Sequence, residues 1–373
     1  MSIEFIGMIG AQHVSEIHRA SGPAVDGDFL ARFAKAHEDA GFDRVLIGHG
    51  SSSPDGTQLA AHAAAHTERL GFLIAHRPGF VAPTLAARTF ATLDQLSGGR
   101  IAVHVITGGS DTEQRRDGDY LTKEDRYART DEYLDVLTRA WTETGPVSHE
   151  GAYYRFEGFS TKVHPMQQPR IPLYFGGSSA SAYRVGGKHA DVFALWGEPL
   201  AQTAEQIVAV REAAAAAGRS DIRISVSFRP ILGRTEEEAW ERAHRVLAEI
   251  NAASGGHGSF TGPLGQERSG PAVSNVGSQR LLQAAASGEL HDRALWTPTA
   301  AATNAAGNST ALVGTPEKVA AALLDYVDIG VSTLLIRGYD PLDDAIDYGK
   351  ELIPLVRQEV ARREASANAA RSA

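Results

Sequence analysis

The run Gly176-Gly177-Ser178-Ser179 follows an apolar stretch and opens an amphipathic one. Two glycines let backbone approach an anion closely. A helix N-terminus behind them offers free N–H groups at the positive end of its dipole, and the serines add hydroxyl donors. The run reads as a phosphate cradle, and equally as a plain turn closed by a serine cap. His13, His76 and His104 fall at the ends of apolar runs, where a group titrating near neutral pH could serve chemistry. Taken singly, each is as well explained as a satisfied polar side chain. Further run ends carry His49 with Ser51, Ser52 and Ser53, then Trp196, Arg229, Arg337 and Tyr339. Trp196 suits a pocket wall or the core. No pair of carboxylates lies among these positions. Gly48-His49-Gly50 half-matches a dinucleotide fingerprint but lacks the third glycine, and His62 and His66 have metal-ligand spacing but no third ligand nearby. Glu236-Glu237-Glu238 reads as a helix first turn favoured by the dipole.

These residues meet only if the run ends converge. The pattern predicts eight strands, over 3–9, 44–47, 70–75, 101–106, 172–175, 192–195, 222–232 and 333–336. Each is almost continuously apolar, as expected of parallel strands buried on both faces, and most are followed by an amphipathic helix. Eight such units suggest a closed α/β (β/α)8 TIM barrel, whose chemistry sits at the C-terminal ends of the strands. A doubly wound sheet is the alternative. A plain barrel takes about 250 residues, so insertions are expected near 108–124, 145–168 and 254–309, the last as a lid. Residues 1–363 read as one domain, with 364–373 a fraying tail.

The chain has 373 residues, with 36 Lys+Arg against 45 Asp+Glu for a net charge of −9. That balance disfavours nucleic-acid binding through the phosphate backbone. The absence of cysteine excludes disulfides, thiolate metal sites and a cysteine nucleophile. Neither a signal peptide nor a membrane-spanning run is legible, so a cytoplasmic protein without membrane contact is expected.

Several motifs together resemble the bacterial-luciferase-like flavin-dependent monooxygenases. They are Arg77-Pro78-Gly79, Pro83-Thr84-Leu85-Ala86-Ala87-Arg88, Leu93-Asp94-Gln95-Leu96-Ser97-Gly98-Gly99-Arg100 and Val105-Ile106-Thr107-Gly108-Gly109. Asp125-Arg126-Tyr127, Tyr174 to Ser179, Trp196-Gly197-Glu198-Pro199 and Thr310 to Gly314 resemble the alkanesulfonate monooxygenase branch. The resemblance spans about residues 5–355. It implies a TIM barrel, a homo-oligomer (dimer or tetramer), and reduced FMN (FMNH2) supplied by a separate NAD(P)H-dependent flavin reductase. It assigns Gly176, Gly177, Ser178, Ser179 and Tyr127 to the FMN phosphate side. Ala75, His76, His104 and Thr107 go beside the flavin ring, where relatives often have a non-proline cis peptide at the Ala75–His76 position. Tyr339 matches a family active-site tyrosine.

Three departures bear on the substrate. Strand 7 carries Ser227-Phe228-Arg229 where relatives have Arg-x-His. No arginine stands in Asn304 to Ser309, and Ser53 replaces a cysteine. Arg229, with Arg337, is expected to replace the sulfonate clamp, because guanidinium matches an oxyanion bidentately. His104 and His76 would tune the oxygen chemistry, and Tyr339 or His49 would handle a proton. His13, Ser53, Trp196, Arg229, Arg337 and Tyr339 would line the substrate. The activity implied is O2-dependent cleavage of an organosulfonate C–S bond to sulfite and a carbonyl, with a polar or sugar sulfonate suggested by the rim. The alternatives are an F420-dependent hydride-transfer oxidoreductase and a non-catalytic flavin-binding protein.

Overall fold

The computed structural model describes residues 3–255 and 275–372. Its centre is a closed parallel barrel. The strands are β1 (Glu4–Ile9), β2 (Arg44–Ile47), β3 (Gly71–His76), β4 (Ile101–Val105), β5 (Leu173–Gly176), β6 (Val192–Trp196), β7 (Arg223–Leu232) and β8 (Thr333–Ile336). Each pairs in parallel with the next in chain order, and β8 closes the ring on β1.

The continuous apolar runs are explained by two cores. Outward residues such as Phe5, Phe72, Ile74, Val103 and Phe175 pack beneath the helices. The alternate positions Ile6, Leu73, Ala102, Tyr174 and Val192 fill the barrel itself. The N-terminal end of the barrel is plugged by the Glu4 carboxylate. It accepts hydrogen bonds from Arg44 Nε at 2.9 Å, Tyr174 OH at 2.9 Å and Thr333 Oγ1 at 3.0 Å. Chemistry therefore has room only at the other end.

Helix ends follow local signals. Asp26 Oδ1 accepts from Phe29 N at 2.9 Å to cap helix Gly27–Asp39, and Ser179 caps helix Ala180–His189. The insertions are fixed by buried charge. Arg77, Arg126 and Arg129 pair with Glu113, Asp117, Asp111 and Asp119, stapling the segment that contains helix Asp111–Arg116. The second insertion holds an antiparallel hairpin, Val147–Glu150 with Arg155–Phe159, anchored where the Glu132 carboxylate accepts from the backbone N–H groups of Tyr153 and Tyr154.

In the third insertion, residues 256–274 of the expected lid lie outside the described residues. The remainder forms helices Val276–Ser287 and Pro298–Ala302 and a small sheet edge. There Ala311–Gly314 pairs in parallel with Arg229–Leu232, the second half of β7, which has left the barrel. Helix Ile353–Ser372 continues through the residues expected to fray.

Candidate functional site

Side-chain alternation sets what faces the barrel mouth. Two residues beyond the interior positions Leu73, Ala102, Tyr174 and Val192 stand Ala75, His104, Gly176 and Ala194. Ala75 is in register with His104, and Gly176 with Ala194. Three of these four are glycine or alanine, which leaves a shallow floor beside one imidazole. His104 is half-buried, and its enclosed Nδ1 finds no partner among the described residues. Burial lowers its pKa to about 4, so the ring is neutral at physiological pH.

The floor runs into the glycine–serine turn. Gly177 has φ +147°, and a Cβ there would lie 2.7 Å from Ala182 Cβ and 3.4 Å from Tyr127 OH. Glycine is thus required both by conformation and by space. Ser179 Oγ accepts from Ala182 N at 3.2 Å and lies 3.3 Å from Tyr127 OH. The run forms a turn closed by a serine-capped helix start. Thr107 follows β4 and is buried. Ala75, His104, Tyr127 and Gly176 to Ser179 are therefore brought together.

Other candidates are placed elsewhere. The His76 side chain points outward, with Nε2 2.7 Å from Tyr133 OH and its ring edge-on to Phe90. Burial, with the nearby His49 charge adding to it, lowers its pKa to about 3. It is a core histidine whose imidazole does not reach the mouth. Among the described residues the cis peptide bond is Gln168–Pro169, so Ala75–His76 is trans. Trp196 is half-buried against helix Val276–Ser287, where Gly277 gives it space. His49 is half-buried, its Nε2 unpartnered among the described residues, and burial and the Arg77 charge lower its pKa.

Arg229 also departs from expectation. Its guanidinium, 1% exposed, donates to Glu16 through Nη1 and Nη2 at 2.9 Å each. It further donates to the carbonyls of Gly338 at 2.8 Å and Arg337 at 3.0 Å. The Tyr339 ring lies 3.9 Å from its Cζ, and that tyrosine is buried in a cluster with Trp296 and Ala311. Arg229 is not free at the mouth, because Glu16 already fills its guanidinium fork, whereas the buried Tyr339 hydroxyl has no partner among the described residues. Sequence reasoning missed Glu16. The signal was its place as the lone carboxylate between β1 and Asp26, since barrel closure brings that loop beside the Arg337 end of β8.

A cavity of about 120 Å³ opens at the ends of β1, β2 and β8, lined by His13, Ser53, Glu16 and Arg337 among others. A separate cluster of Asp131, Asp135 and His189 has metal-ligand spacing, but Lys188 Nζ, 2.7 and 2.9 Å from the two aspartates, already supplies the cation.

The fold and mouth define a β/α-barrel protein that presents a small-molecule site on its C-terminal loops. More particularly, this chain belongs to the luciferase-like monooxygenase family, whose model matches residues 3–333. Among solved structures, a riboflavin lyase with a modified FMN and riboflavin matches with TM-score 0.78 and 23% identity, over 96% of this chain and 92% of its own. An EDTA monooxygenase from Chelativorans sp. BNC1 matches with TM-score 0.75 and 18% identity, over 96% and 94%. An F420-dependent secondary alcohol dehydrogenase with an F420–acetone adduct matches with TM-score 0.69 and 18% identity, over 95% and 99%. At these identities the likeness is one of fold. Among the described residues, no helix is long and apolar enough to cross a membrane.

Proposed function

We propose that this protein is the oxygenating component of a two-component system. It takes reduced FMN from a separate NAD(P)H-dependent flavin reductase and uses O2 to oxidise a small organic anion. Cleavage of an organosulfonate C–S bond, giving sulfite and a carbonyl compound, is the reaction proposed first. The observation that carries this reading is the shallow floor of Ala75, Gly176 and Ala194 between a neutral half-buried imidazole and a glycine–serine helix start.

The residues present fit a flavin mononucleotide. Only glycine is tolerated at position 177, and His104 keeps an unpartnered buried nitrogen. Gly177, Ser178, Ser179 and Tyr127 would hold the phosphate, and Ala75, His104 and Gly176 would face the ring. Bound reduced FMN supplies the electrons and the activation of O2. The chain supplies the rest. The helix start places N–H dipoles on a phosphate dianion. The neutral His104 imidazole can donate or accept a hydrogen bond without adding charge next to reduced flavin. His49, also biased towards neutrality, can hold a proton taken from substrate. The described part of the third insertion covers Trp196 and limits water at the mouth. A homo-oligomer and a cytoplasmic location are part of the same reading.

The test is sulfite release with FMN, NAD(P)H and a generic flavin reductase, against alkanesulfonates, sulfoacetate-like acids, sulfosugars and dialkyl sulfones. Sulfite from one class, lost without the reductase, supports the reading. No sulfite from any member, despite FMN binding, overturns the sulfonate assignment. The F420 alternative, which the dehydrogenase neighbour keeps in view, predicts spectroscopic reduction of F420 by an alcohol without O2.

A further inference from the structure

The loop after β1 brings one carboxylate between two arginines. Glu16 receives both Nη atoms of Arg229 and also Nη2 of Arg337. Burial alone would raise the Glu16 carboxyl, but the two guanidinium charges outweigh it and hold it ionised. Two cations and one anion leave a formal charge of +1. The adjoining carboxylates of Asp340 and Asp344 share the single guanidinium of Arg242, and Asp340 also meets His18 Nε2.

The two arginines are not equivalent. Arg229 spends its five N–H groups on four hydrogen bonds and an aromatic face. Arg337 lines the cavity. It has Nη1 3.3 Å from Met8 Sδ, a weak acceptor, and its Nε has no partner among the described residues. Burial and the Arg229 charge pull its guanidinium down to about 10, so a further anion beside it would be favourable. The cavity walls include Ile9, Val14, Phe29, Ile47 and Leu59. Gln12, expected to make the rim polar, is turned to the carbonyls of Ser21 and Gly22.

On the reading above, we propose that Arg337 rather than Arg229 receives the substrate's anionic group. Glu16 offsets one of the two guanidinium charges beside the cavity, so that a monoanion on a short apolar chain is preferred to a dianion or a sugar-like body. A second charge on the ligand would be buried without a partner.

Calorimetric titration of the FMN-loaded protein tests this, with butane-1-sulfonate and butanoate as monoanions and sulfoacetate and succinate as dianions. The monoanions should bind wild type at least about tenfold more tightly than the dianions. Arg337→Met should weaken monoanion binding by about tenfold or more while leaving FMN affinity nearly unchanged, with a smaller fall in unfolding temperature than Arg229→Met because Glu16 keeps its bidentate partner, and Arg337→Lys should restore part of the binding. Glu16→Gln should narrow the gap in favour of the dianions. Monoanion binding unaltered in Arg337→Met, a wild-type preference for dianions, or no binding of any probe up to about 10 mM would each overturn the proposal. Heat of binding is read without turnover. A protein that binds monoanions through Arg337 yet releases no sulfite would fail the sulfonate assignment alone.

Discussion

Arg229 is the residue whose replacement separates architecture from recognition. Arg229→Met strips Glu16 of its bidentate partner inside the protein and leaves it only Arg337 Nη2, and removing one partner of a buried ion pair costs about 3–5 kcal/mol. The expected outcome is a markedly lower unfolding temperature by calorimetry, largely recovered in the double variant Arg229→Met/Glu16→Gln. Unchanged stability combined with lost anion binding would return Arg229 to the substrate. The turn and helix start at the glycine–serine run were legible because paired glycines before a serine cap have a local signature. The role of Arg229 was not legible, since its partner lies 213 positions away in the chain and only barrel closure brings them together. His76 shows the other limit. One position along a strand reverses the face, so it and its neighbour Ala75 serve different cores.

At the level of elements, the turn from β5 into helix Ala180–His189 is the most exacting. Gly177→Ala meets both a left-handed backbone conformation and the Ala182 methyl. It should reduce FMN affinity by about tenfold or more, read by quenching of flavin fluorescence, while the circular dichroism of the barrel stays unchanged. An affinity equal to wild type would remove the cradle from the cofactor site. The eight barrel strands could be read from their composition because both faces of each are buried, which leaves continuous apolar runs. Ala311–Gly314 is equally apolar, yet its pairing with the far half of β7 has no local signature. The stapling of helix Asp111–Arg116 likewise depends on arginines from β3's end and from helix Lys123–Thr142.

At the scale of the whole molecule, three enclosed imidazoles, buried His37 and half-buried His76 and His104, confer acid sensitivity. His37 and His104 are held near about 4, and His76 near about 3, each chiefly by burial. These folded values lie below the unfolded value near 6.5, so protonation favours the unfolded chain. Stability is full above pH 6.5 and falls as pH drops towards 4, by about 1.4 kcal/mol per unit for each histidine. Unfolding temperatures measured from pH 8 to pH 4 should decline steeply below about 6.5. His37→Asn is the poorer probe, because that ring also fills the space over Gly7. His104→Gln should flatten the slope by one histidine's share, and a flat profile in wild type would contradict the enclosed neutral state.

The long strand β7 belongs to two sheets, and this makes part of the chain interchangeable. Its second half, the helix Glu236–Gly255 that packs over it, and Ala311–Gly314 already form a parallel strand–helix–strand unit. Such a crossover needs only about a dozen residues of connection, so residues 256–310 exceed what the geometry demands. The described part of that stretch, residues 275–310, returns to the same ladder at Ala311. Exchanging residues 275–310 would therefore reshape the surroundings of Trp196 and Glu198, which helix Val276–Ser287 packs against and pairs with, while the parallel ladder of β7 with β8 needs none of them.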